Sequence, residues 1–144
     1  MTNIEFTNKQ FLSLLKLAYL GNWVINAHRT DDKVEHYDEL EQFLFSKAKD
    51  FGLGHLVITD SHGSFPTAKF EADDEIRTYL ADYDDNTFWE ALIEVLAVRE
   101  FNKFHNDDAN LDQMQRFNIL CELEDKYRSL LQKEGLENFK FVKQ

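Results

Sequence analysis

The sequence is poor in the residues that punctuate and cross-link a chain. Its 144 residues include one proline, one cysteine and five glycines. A turn-rich β-sandwich or a collagen-like, low-complexity chain needs far more of them, so both classes are excluded. Cys121 has no second cysteine to pair with. No intramolecular disulfide can form, which fits a reducing, cytoplasmic setting. A thiol inside a helical pattern is expected to be buried and structural. Basic residues are also scarce: 16 Lys and Arg stand against 27 Asp and Glu, a net charge of −11. No polybasic run occurs. The footprint that releases counterions from nucleic acid is therefore missing, and an anionic membrane surface is disfavoured for the same reason.

Long apolar runs are absent too. The richest, Phe11–Ala27, is broken by Lys16, Asn22 and Asn26. It is too short and too polar to cross a bilayer. Lys16 and Glu5 also spoil the pattern of a secretory signal. We read this stretch as a packed helix of a soluble protein.

What is present is a globular composition, 43% hydrophobic and 14% aromatic. That is enough for one hydrophobic core, and we expect a single helical domain over residues 1–144. Hydrophobic periodicity and caps predict a mainly α fold, an irregular bundle of about five helices. These run over 8–29, 33–51, 72–83, 88–105 and 111–134. Thr7 with Gln10, Asp32 with Glu35, and Thr87 with Glu90 have capping-box spacing, and Asn110 is a further cap. Gly52 and Gly135 sit where helix ends favour glycine. Glu122 with Lys126 and Glu124 with Arg128 have the spacing of helical ion pairs. Residues 53–70 read as a long connection or a short hairpin. The two termini, 3–7 and 138–142, alternate apolar and polar residues, which suggests a small two-stranded ribbon between them.

The first helix carries the most informative local pattern. At about 100° per residue, Phe11, Leu15 and Ala18 share one face. Asn22, Asn26 and Arg29 continue that face, so its apolar side turns polar. Buried amides and guanidinium groups need partners. Two readings follow: a closed internal network, or a pocket in which Asn22, Asn26, His28 and Arg29 meet a small ligand. Arginine suits carboxylate or phosphate through its planar fork.

Charge is uneven. Residues 30–85 hold 5 basic and 15 acidic groups, −10 net. Glu71, Asp73, Asp74, Glu75, Asp82, Asp84 and Asp85 lie together, with only Arg77 among them. They form an expected acidic face for a basic protein partner, or a source of carboxylates for Arg29.

Motifs that would name a chemistry are missing. The five histidines have no ligand spacing. Glu-x-x-Asp, the spacing of carboxylate metal sites on facing helices, occurs at Glu35–Asp38, Glu71–Asp74 and Glu122–Asp125. That is little more than chance supplies, so we expect no metal and no cofactor. Asp60-Ser61-His62-Gly63-Ser64 holds the residue types of a hydrolytic triad, but neighbours in sequence form turns rather than triads. Phe101, Phe104 and Phe117 do not fit the core faces, which leaves them as loop-covered contacts or as a surface for self-association. The leading expectation is a non-enzymatic interaction module. A small Mg-type hydrolase, or a ligand-binding protein with its pocket at the end of the first helix, is the alternative.

Overall fold

Local chemistry sets the first helix. Thr7 and Gln10 form the expected capping box: Gln10 N–H donates to Thr7 Oγ1 at 3.2 Å and Thr7 N–H to Gln10 Oε1 at 2.9 Å. Helix α1 runs Asn8–Asn26, three residues short of the expected end. The chain then turns, and α2 follows over Glu35–Ser46. The expected Asp32 cap does not form, because Asp32 is taken by Arg29 and α2 starts later, behind Val34. A 3-10 turn over Ala48–Phe51 ends at Gly52, whose φ of 69° is the left-handed conformation that favours glycine. The computed structural model describes residues 4–105, 110–137 and 139.

Strands β1 (Val57–Asp60) and β2 (Gly63–Pro66) form an antiparallel hairpin with Val57 opposite Pro66. Ser61 and His62 are its turn, between the paired Asp60 and Gly63, with His62 N–H held by Asp60 Oδ1 at 2.7 Å. Gly63 has a φ of 149°, a conformation that L side chains rarely adopt, so any other residue there is strained. This hairpin is the small ribbon of an otherwise mainly α fold. The ribbon expected from the termini is not found: residues 4–7 are not a strand, and 138 and 140–142 lie outside the described residues.

One short turn of helix, α3 (Ala68–Glu71), precedes α4 (Asp74–His105) and α5 (Gln113–Glu134). Five α-helices are thus described, but not the five expected. The helices predicted over 72–83 and 88–105 are one. No proline or glycine lies between Asp74 and His105. Asp84, Asp85, Asn86 and Thr87 each cost at most about 0.7 kcal/mol relative to alanine. Asp85 also accepts from Trp89 Nε1 at 3.1 Å, one turn on. Thr87 therefore never serves as a cap. At the start of α5, Asp112 rather than Asn110 makes the capping box, with Gln115.

The chain divides into two compact units, Met1–Asp82 and Tyr83–Gln144. In the first, Phe11, Leu15, Phe45, Ala48, Phe70 and Ile76 form the buried core. Phe11 stacks on Phe51 with ring centroids 3.9 Å apart, and Phe70 meets Tyr19 and Phe45 edge-on. Burying each such side chain is worth about 1.5–3 kcal/mol. In the second, the C-terminal part of α4 packs with α5, and Ile93, Ala97, Phe101 and Leu131 are buried. No helix among the described residues is long and apolar enough to cross a membrane.

Candidate functional site

The polar end of α1 lies against α2. Asn22 Nδ2 donates to Asp38 Oδ1 and to Glu41 Oε2, each at 2.7 Å. Asn26 Nδ2 donates to Asn22 Oδ1 at 2.7 Å and to the Val34 carbonyl at 3.2 Å. In return Asn26 Oδ1 accepts the Val34 N–H at 2.8 Å. Asn26 is buried at 5% exposure, and its amide splices the chain entering α2 onto the end of α1. Among the described residues no buried side-chain polar atom lacks a partner.

Arg29 and His28 do not join this network. Arg29 Nε donates to the Ile25 carbonyl at 2.8 Å and its fork meets Asp32 at 2.6 Å, closing the end of α1. His28 is exposed. Of the four residues expected to meet, the two asparagines do and the other two stand apart.

The network leaves one acid in an unfavourable position. Burial pushes the Glu41 carboxyl above the ordinary glutamate value, and the nearby charges of Asp38 and Glu71 push the same way. The hydrogen bond from Asn22 opposes them. Tyr19 is also shifted upward, first by burial and then by Glu71 and Glu41. Even so, among the described residues no group of three or more His, Cys, Asp or Glu side chains is placed to hold a metal ion.

The acidic segment is less uniform than its sequence suggests. Asp73 caps α4, accepting from Glu75 N–H and Ile76 N–H, and it takes Lys16 Nζ at 2.9 Å. Lys16 also reaches Glu75 at 2.6 Å. Lys16, outside the Phe11–Leu15–Ala18 face of α1, thus tethers that helix to the start of α4. Burial opposes the Lys16 charge, but the two carboxylates outweigh it and hold its pKa above the usual lysine value. Lys16 in turn holds Asp73 and Glu75 below the usual carboxylate range. Glu71, Asp74 and Asp82 are exposed in the first unit, and Asp84 and Asp85 in the second.

In the second unit α4 and α5 are clamped by ion pairs across the hairpin. Arg128 grips Glu90 with both guanidinium nitrogens. Lys126 meets Glu100 at 2.7 Å, and the Tyr127 hydroxyl donates to the same carboxylate. The expected pairs of Lys126 with Glu122 and Arg128 with Glu124 do not form, because facing carboxylates on α4 take both cations. A half-open groove of about 380 Å³ runs beside Glu90, lined by Trp89, Ile93, Arg128 and Leu131. Phe101 is buried beneath Arg116, whose guanidinium lies 5.8 Å from the ring centre. Phe104 and Phe117 are exposed, and Cys121 is half-buried.

The same α4 segment has a second apolar side. Trp89, Ile93, Ala97 and Phe101 are spaced to face α5. Phe88, Ala91, Val95 and Val98 lie about half a turn away at alternating spacings of three and four, and all four are exposed. Val95 is 63% exposed and Phe88 50%. Sequence periodicity marks the 88–105 segment as apolar around most of its circumference, which would make it a central helix, but not which side is left uncovered. No family model, characterised protein or solved structure matches the chain.

Proposed function

We propose that this chain is a non-enzymatic protein-interaction module whose working surface is the outer side of α4. One observation carries the reading: a helix apolar on two opposite sides covers one of them with α5 and exposes the other. A helix apolar all round is ordinarily buried on all sides, so a partner is the physical complement of Phe88, Ala91, Val95 and Val98. The asparagine network supports the same direction, because its amides are already engaged within the chain. Glu71 and Asp74 in the first unit, and separately Asp84 and Asp85 in the second, offer exposed carboxylates to a basic protein, where charge chiefly governs the rate of encounter. A cytoplasmic setting fits the single thiol.

The test is a photo-crosslinking residue at Val95, with one at Ser129 on exposed α5 as control, in living cells. Adducts to any protein at Val95 and few at Ser129 are expected. Equal or absent adducts at the two positions would overturn the reading.

A further inference from the structure

We propose that the partner on this surface is a second copy of the chain, paired in parallel along α4 from Phe88 to Asn102. The inference rests on the interaction reading above and names its partner.

The exposed stripe has coiled-coil spacing. Phe88 and Val95 stand seven residues apart, and Ala91 and Val98 occupy the alternate seam positions. This is the a/d repeat that keeps one side of a helix against a partner helix. Valine in the first class of seam position favours two strands. Continuing the repeat, the next such position is Asn102, which is exposed. A single asparagine at that position is a known device for fixing two-stranded, parallel, in-register pairing, since each amide then finds its twin.

Charge complementarity sets the orientation. Glu94 and Arg99 flank the seam on opposite sides, five residues apart. In a parallel pair that separation brings Glu94 of one copy beside Arg99 of the other, twice by symmetry. An antiparallel pair sets like flanks together, Glu94 toward Glu94 and Arg99 toward Arg99. Glu94 and Arg99 form no salt bridge within the described chain, whereas Arg128, Lys126, Glu90 and Glu100 are all engaged across the hairpin. The unused pair is the one the seam requires. Toward the N-terminus the repeat reaches Asp84, where two carboxylates would meet, so the seam begins at Phe88. A seam this short gives a reversible dimer whose population depends on concentration.

Sedimentation velocity on the full chain over a concentration series is the experiment. A shift from monomer to dimer mass is expected for the wild type. Val95→Glu should stay monomeric, with unchanged far-ultraviolet circular dichroism and thermal midpoint. Glu94→Arg or Arg99→Glu alone should weaken dimerisation roughly two- to thirtyfold, since two symmetry-related pairs are lost. Combining the two swaps should restore it. In a Cys121→Ser background, Val98→Cys should oxidise to a self-linked dimer. A wild type that stays monomeric at its solubility limit overturns the proposal, as do charge swaps that fail to rescue one another. If that monomer still gives photo-adducts at Val95 to a different protein, the interaction reading survives and this inference does not. If it gives none, both fall.

Discussion

The two units of this chain solve the burial problem differently. The first closes on itself. Six apolar side chains are buried together, partly buried aromatics pack around them, and the polar end of α1 is consumed by α2. The second is a pair of helices clamped by ion pairs, with four buried apolar residues and many exposed ones, including Phe88, Val95, Phe104, Met114 and Phe117. Two helices have only one side each to give one another, so the helix pair gathers a smaller core, while both units leave large apolar side chains exposed, Leu17, Leu40 and Phe43 in the first among them. The larger core belongs to the first unit, and the continuous exposed stripe along one helix to the second.

The sharpest way to break that comparison is through the two cores. Phe70 is buried at 2% and touches both Tyr19 and Phe45 edge-on. Phe70→Ala should cost about 3–5 kcal/mol, read as a lower thermal or denaturant midpoint. Phe101→Ala in the second unit should fall at the low end of that range, because the hole it leaves is more open to collapse and to solvent. A larger loss for Phe101 than for Phe70 would reverse the comparison.

The next effect tests whether the first unit is closed by polar groups as well. Asn26→Ala removes the acceptor of the Val34 N–H and a donor to two carbonyl-type oxygens. A loss of about 1–3 kcal/mol is expected by chemical denaturation, the cost of an unsatisfied buried amide. No change would mean that water replaces the side chain and that the end of α1 is open.

Much of this architecture is legible in the sequence where a signal is local. Thr7 with Gln10, Gly52 and Gly135 mark helix ends through bonds made within four residues. The line from Leu15 to Asn22 and Asn26 follows from helical spacing alone. What sequence does not reveal is competition between distant partners. Asp32 has good cap spacing, yet Arg29 captures it. Lys16 looks solvated until α4 brings Asp73 and Glu75 to it. Lys126 and Arg128 have acids one turn away, but α4 offers better-placed ones. The continuity of α4 is a related case: the weak helix formers at 84–87 signal a break only where something else would use it, and nothing there is a proline or glycine.

A smaller effect separates caps from clamps. Asp112 accepts the Gln115 N–H at 2.8 Å at the start of α5. Asp112→Ala should cost about 1 kcal/mol. The loss should appear as faster amide exchange in the first turn of α5, leaving the Arg128–Glu90 end protected. Uniform loss of protection along α5 would show that the hairpin has no independent clamp.

The smallest effect, and the one with the most informative sign, is electrostatic. Burial and the neighbouring charges of Asp38 and Glu71 raise the Glu41 pKa, so the folded chain binds that proton more tightly than the unfolded chain. Stability from this group is fully present below the ordinary glutamate value and is lost as pH rises through the folded pKa. At neutral pH Glu41 therefore works against the fold. Glu41→Gln keeps an oxygen for the Asn22 amide and removes the charge. Its melting temperature should exceed that of the wild type at neutral pH and match it in acid. Glu90 in the second unit is shifted the other way by Arg128. Its contribution is present above the ordinary glutamate value and is lost as pH falls through the folded pKa. Glu90→Gln should thus be the less stable chain at neutral pH and converge with the wild type in acid. Opposite signs in one pair of melts would distinguish a carboxylate held by packing from one held by its cation. A destabilised Glu41→Gln chain would instead show that the charge-assisted bond from Asn22 outweighs burial, and that the first unit, like the second, is held by its charges.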